Sequence, residues 1–253
     1  MLPTANSERI NNILSFKALT YNIHGGFGKG LRQLQLLVEM LAKAAPQIIC
    51  LQEVKQGPTR FGWENQGEWL GKHLDCWWAF APVRSHTGGV LGNAVLSTWP
   101  IRHTRHHDLT ILARSRRACL EVEIASPWGP LRVFNAHLGH LPRERARQAR
   151  RLLARLPAAG TDQDQPVLLA GDFNSLPQGF VSHYLRKHLA DVWRQVGHGR
   201  GGTYSTRLPL LRLDYIYVNH RLVPRAAQVV RPKKGRQISD HFPVLVELAL
   251  NSL

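Results

Sequence analysis

Apolar residues in this chain follow two rhythms that alternate from end to end. Phe16 to Asn22, Gln47 to Gln52, Val90 to Ser97, Arg117 to Ile124, Leu131 to His137, Val167 to Ala170, Leu213 to Val218 and Val244 to Leu250 have strand composition, with Gly and Pro between them. Leu31, Leu34, Leu37, Val38 and Leu41 keep helical spacing, and Pro46 marks that helix's end. A second helix is predicted over 143–156. Ala146, Ala149, Leu152, Leu153 and Leu156 share one of its sides, and Arg143, Arg147, Arg150 and Arg151 fan out on the other. No repeat or long linker interrupts the alternation. It predicts a single α/β domain over 13–253, preceded by a polar extension over 1–12.

Polar and acidic residues recur where an apolar strand stops. They are Asn22, Glu53, His137, Asp172 with Asn174, Asp214, and Asp240 with His241. Strand ends are where an α/β fold delivers side chains to a shared crevice. Carboxylates gathered there repel one another unless a cation sits among them, and hard oxygen donors suit Mg²⁺ or Mn²⁺.

Six short motifs carry these residues in order: Thr20-Tyr21-Asn22-Ile23, Leu51-Gln52-Glu53-Val54, Asn135-Ala136-His137-Leu138, Gly171-Asp172-Phe173-Asn174-Ser175, Leu213-Asp214-Tyr215-Ile216 and Ser239-Asp240-His241-Phe242-Pro243. In that order the chain resembles the endonuclease/exonuclease/phosphatase superfamily, which includes DNases, apurinic endonucleases, sphingomyelinases and inositol phosphatases. The resemblance spans about residues 16 to 250. It implies a DNase I-like four-layered α/β sandwich, two packed mixed β-sheets flanked by helices, and in-line attack of water on phosphorus.

By that resemblance Glu53 is the principal metal-binding residue, with Asn22 and Asp240 also at the metal. Asp172 and Asn174 hold the attacking water or the metal. His241 contacts the phosphate and is paired by Asp214, and His137 is the second histidine. An Asp–His pair fixes one imidazole tautomer and favours its cationic form. Asn93 and Arg145 are candidates for substrate contact, with strand packing and a buried ion pair as their structural alternatives. Arg147 and Arg151 are expected to meet an anionic substrate.

Two departures from the resemblance stand out. His24 occupies a position that is acidic in apurinic endonucleases, which argues against a separately bound second metal. The segment Gly92 to Ser97 resembles small bacterial members. The Gly-rich turn after His24 lacks the Gly-Lys-Ser/Thr ending of a P-loop and reads as a turn beside the active site. His103, His106 and His107 read as solvated residues of an Arg-rich turn. Trp63, Trp69, Trp77 and Trp78 read as core.

Charge changes the picture of what binds. Thirty-three Lys and Arg against seventeen Asp and Glu give a net +16, a field that attracts polyanions. Nucleic acid is the leading expectation for the substrate. A phospholipid at an anionic membrane surface is the alternative, and a binding module without turnover would be excluded by any metal-dependent hydrolysis. Three widely spaced cysteines argue against a disulfide framework. No signal peptide or membrane-spanning run is evident. These features predict a cytoplasmic monomer, peripheral at a membrane if lipid is its substrate, with no obligate protein partner.

Overall fold

The computed structural model describes residues 15–26, 30–59, 62–86, 88–112, 116–157, 165–233 and 238–251. The extension expected over 1–12 lies outside them. Strands β1 (Ser15–Asn22), β2 (Ile48–Thr59), β3 (Gly62–Asn65), β4 (Trp77–His86), β5 (Gly89–Ser97), β12 (Leu222–Val229) and β13 (Val244–Leu250) form one sheet. Its order is β12-β13-β1-β2-β5-β4, with β3 paired to β2. Strands β6 (Ile101–Asp108), β7 (Ala118–Ser126), β8 (Gly129–His137), β9 (Val167–Asp172), β10 (Ala190–Asp191) and β11 (Asp214–Val218) form the other, in the order β10-β11-β9-β8-β7-β6. Each sheet is mixed, with a parallel pair at its centre, β1 with β2 and β8 with β9.

The continuous apolar runs are explained by burial on both faces. Ala18, Ile48, Cys50, Val95, Val133, Leu168 and Ala170 meet between the sheets. Their sequence neighbours Leu19, Ile49, Leu51 and Leu96 point the other way, under helix α1 (Gly30–Ala44) and helix α2 (Gln66–Leu74). On the second sheet Phe134, Ala136 and Leu169 face outward against α3 (Pro142–Leu153) and α4 (Phe180–Leu185). A short helix, α5 (Val192–Val196), adds Val192 to the central layer. The order helix, sheet, sheet, helix is the four-layered sandwich. Each fully buried Leu, Ile or Val contributes about 1.5–3 kcal/mol, so the central layer, the largest of the three clusters, is the largest single contributor.

Three sequence expectations are corrected. β2 does not stop at Glu53 but runs on to Thr59, with a bulge between Leu51 and Val54. The histidine-rich segment is the edge strand β6, and His107 is ion-paired with the buried Glu121, so it has the acidic partner the sequence hid. Trp69 packs against the outer cluster, but Trp77 and Trp78 are exposed on β4, where the sheet ends; the Trp63 side chain is not among those described.

Candidate active site

The second sheet sets three site residues in a row. His137 ends β8 opposite Asp172 of β9, and Asp172 stands opposite Asp214, which opens β11. Gly171 makes the close approach possible. Its φ is +146°, and a Cβ there would meet the Ala136 carbonyl oxygen at 1.8 Å. All three side chains are buried.

The first sheet brings Asn22 and Glu53 to the same place. Glu53 sits in the β2 bulge with φ +55°, a left-handed conformation that costs energy in a non-glycine residue. The extra residue re-aims its carboxylate toward the other sheet. Asn22 Nδ2 donates to Glu53 Oε1 at 3.3 Å and to Asp172 Oδ2 at 3.0 Å. Asn22 Oδ1 accepts from the His24 backbone N–H at 2.9 Å, which fixes the amide's orientation. One amide thus ties a carboxylate from each sheet.

His241 Nδ1 is 2.8 Å from Asp214 Oδ2, and its Nε2 is 3.7 Å from Asp172 Oδ2. Burial alone would lower the imidazole pKa. The Asp214 carboxylate, with Asp172 and Asp240 near, outweighs that and pushes it up to about 10. His241 is therefore a cation at neutral pH, donating through Nδ1 and presenting Nε2–H. Tyr204 packs over it, with ring centroids 4.9 Å apart.

His137 is the opposite case. Burial, and then the positive Arg117, hold its pKa well below the ordinary histidine range. Asn174 Nδ2 donates to the Leu138 carbonyl at 3.0 Å and faces His137 Nε2 at 3.2 Å. A carbonyl only accepts, so the amide orientation is set and His137 Nε2 must be the acceptor. The ring is neutral with its proton on Nδ1. Asn174 holds φ +49°, and its N–H donates to Asp172 Oδ1 at 2.9 Å.

The remaining expected residues divide. Asp240 is half-exposed and held by His24 Nδ1 at 3.0 Å. Asn93 lines the cleft with Glu53 and His137, while its Nδ2 is committed to the Ala118 and Asn135 carbonyls. Arg145 donates to the His140 carbonyl and is half-buried. Arg147 is exposed on α3, and Arg151 is exposed but reaches the Thr110 carbonyl at 2.6 Å. The structure gathers Asn22, Glu53, His137, Asp172, Asn174, Asp214 and His241; the α3 arginines stand apart on the helix surface.

Sequence reading missed Arg117, Arg84 and His140, which line the cleft with Glu53, Asn93 and His137. Arg117 is buried with no hydrogen-bond partner for its Nε, and burial, together with the like-charged Arg84, lowers its pKa. Its place in an Arg-rich stretch (Arg116 precedes it) gave no signal.

A divalent cation fits the donor set. Asp172 and Asp214 are like charges placed directly across two strands, an arrangement that destabilises a sheet when uncompensated. Burial and the Asp214 carboxylate push the Asp172 carboxyl well above the ordinary carboxylate range. Asp214 Oδ1 is buried with no hydrogen-bond partner. Asp172, Asp214 and His241 offer ligand atoms all within 4.8 Å of one another, with Glu53 tied to Asp172 through Asn22. His241 is already committed to Asp214, so the donors that suit a hard cation are the carboxylate oxygens.

Comparison with known proteins agrees with this arrangement. Residues 19–241 match the Endonuclease/Exonuclease/phosphatase family. The chain is 33% identical over 251 residues to YbhP of Escherichia coli strain K12, covering 93% of this chain and 97% of that one. Its fold is similar to an endonuclease/exonuclease/phosphatase from Beutenbergia cavernae, with TM-score 0.79 and 24% identity over 94% of this chain and 72% of that one. The human Nocturnin catalytic domain superposes with TM-score 0.77 and 20% identity over 94% of each chain. A mannosyl-6-phosphatase from Bacteroides thetaiotaomicron does so with TM-score 0.76 and 18% identity over 93% of this chain and 100% of that one. With the six motifs brought together from both sheets at one end of the sandwich and the match running through nearly all of them, the chain belongs to the endonuclease/exonuclease/phosphatase family, whose members hydrolyse phosphoester bonds.

Proposed function

We propose that this protein is a Mg²⁺- or Mn²⁺-dependent phosphodiester hydrolase. The observation that carries the reading is the placement of two histidines, each held by its own polar partner, around one buried carboxylate. His241 is held by Asp214 and His137 faces Asn174, and the Nε2 atom of each lies 3.7 Å from Asp172 Oδ2. Glu53 and Asn22, joined to Asp172 through the Asn22 amide, would hold the cation together with the Asp172 and Asp214 carboxylates, and the cation's contribution is to polarise a phosphoryl oxygen.

The chain's own groups supply the rest. Asp172, raised toward neutrality by burial, accepts the proton of the attacking water, and the Asn174 backbone and side chain hold Asp172 and His137 in place. His241 Nε2–H faces the charge that builds on the phosphoryl oxygens, in a site too buried for water to screen it. Asp214 keeps that ring cationic and oriented. Arg117 is a second fixed positive charge, placed to bind the substrate's anion rather than to move a proton.

The exposed arginines of α3 support an anionic partner, either nucleic acid or phospholipid. Charge is the only support for nucleic acid; phospholipid has a second, developed below. The direct test is hydrolysis of bis-p-nitrophenyl phosphate with Mg²⁺ or Mn²⁺ and with excess chelator. Activity that persists under chelation, with no metal retained, would sink the reading.

A further inference from the structure

Apart from Trp77 and Trp78, every large apolar side chain exposed among the described residues lies on a segment leaving the catalytic sheet edge. Leu141 closes the loop that follows His137. Leu176 and Phe180 follow Asn174. Leu208, Leu210 and Leu211 occupy the loop between Tyr204, packed on His241, and Asp214. Leu208 is 64% exposed and Leu210 56%, and with Leu211 they put three exposed leucines within four residues, a cluster unlike the singly exposed leucines common on protein surfaces. Trp77 and Trp78 pair with Ser97 and Leu96, at the end of β5 remote from Asn93, and so lie away from the cleft.

Cations accompany the leucines. Arg143 and Arg147 are exposed on α3 beyond Leu141, and Arg200 and Arg207 flank the leucine loop. Leu176, Pro177, Trp193 and Leu210 wall an open trough of about 650 Å³, with the exposed Arg194 and Arg200 also lining it. Loop-tip leucines interleaved with arginines match the boundary of a bilayer, where apolar tips enter the acyl region and guanidinium groups stay at phosphate level. A nucleic acid strand would use the arginines and could stack on Phe180 or Trp193, but it would gain nothing from the exposed leucines, which outnumber those two rings on the rim.

We propose that this rim seats the enzyme on an anionic phospholipid bilayer, with Leu208 and Leu210 entering the headgroup region and the arginines meeting lipid phosphates. The phosphoester presented to the cleft then belongs to a lipid. The docking stands on the rim alone; only the consequence for substrate rests on the hydrolase reading. No helix among the described residues is long and apolar enough to cross a membrane, so this is surface attachment.

The test is co-sedimentation of the full chain with vesicles of phosphatidylcholine, alone or with roughly one part in three phosphatidylglycerol. Binding is expected only to the anionic vesicles and should weaken with salt. Leu208→Ser with Leu210→Ser should lower the partition coefficient by about tenfold or more. Its circular dichroism and its hydrolysis of bis-p-nitrophenyl phosphate should match wild type. Arg194→Glu with Arg200→Glu should weaken binding through charge alone. The proposal is overturned if wild type ignores anionic vesicles, if it binds neutral vesicles equally well, or if the leucine variant binds as wild type does. Duplex DNA bound steeply against salt, with vesicles ignored, would make nucleic acid the partner. Vesicle binding with no hydrolysis of the small diester would uphold docking and remove the hydrolase reading.

Discussion

Asn135 and Gln52 meet across the space between the two sheets, Gln52 Nε2 donating to Asn135 Oδ1 at 2.7 Å. Asn135 Nδ2 in turn donates to the Leu51 and Ala94 carbonyls of the opposite sheet, each at 2.8 Å. Gln52 immediately precedes Glu53, and Asn135 lies just before His137. This buried stitch therefore sets how the glutamate of one sheet stands against the histidine of the other.

Asn135→Ala takes the side-chain donor from two buried carbonyls, while the Gln52 amide keeps Thr20 Oγ1 and the Cys50 carbonyl as acceptors. Each such loss costs about 1–3 kcal/mol, so a destabilisation of about 2 kcal/mol or more is expected in urea denaturation. Turnover should fall as well, although the side chain is fully buried away from substrate. A variant within about 0.5 kcal/mol of wild type would show that the stitch does not hold the sheets in register.

The Asp214–His241 pair predicts a different signature. His241→Ala removes the cation facing the reacting phosphoryl group, and Asp214→Asn removes the charge that maintains it. Both should cut kcat by roughly 10² or more with little change in KM. Near-normal turnover in His241→Ala would show that this imidazole lies outside the chemistry.

Metal binding can be read without activity. Glu53→Gln keeps the hydrogen bond from Asn22 but gives up the charge, so Mn²⁺ affinity by calorimetry should fall at least about tenfold. Unchanged affinity would leave the cation to the Asp172 and Asp214 carboxylates alone and make Glu53 a substrate contact.

Much of this site was legible in the chain because its residues sit where apolar strands end. Asn22, His137, Asp172 and Asp214 could be placed that way, since strands buried on both faces leave a continuous apolar signal. Glu53 was found for a partly wrong reason: β2 continues past it, and a bulge with positive φ, which has no periodic signature, does the aiming. The edge strands β4 and β6 were missed because one side of each meets solvent and carries Trp, His and Arg in place of apolar residues. Arg117 was read only as the first residue of a strand, with no role at the site. It stands just before β7 and lines the cleft with Glu53 and His137.

His107 and Arg132 flank Glu121 on the second sheet, and His107 was misread as part of a solvated turn. Glu121 pairs with His107 Nε2 and accepts from Arg132 Nε at 3.0 Å, and its side chain is only 8% exposed. Burial alone would raise its carboxyl pKa, but Arg132 and His107 together hold it below the ordinary value. A folded pKa below the unfolded one means that the unfolded chain binds more protons in that range. The stabilisation is therefore complete at neutral pH and is lost as pH falls through the folded pKa. Glu121→Gln strands a largely buried guanidinium, which should cost about 3 kcal/mol at pH 7. The gap between variant and wild type should close as urea denaturation is repeated toward pH ~3, where the wild-type carboxyl also takes up its proton. A gap that stays constant from neutral to acid pH would mean that packing, and not the ion pair, sets the cost of the substitution.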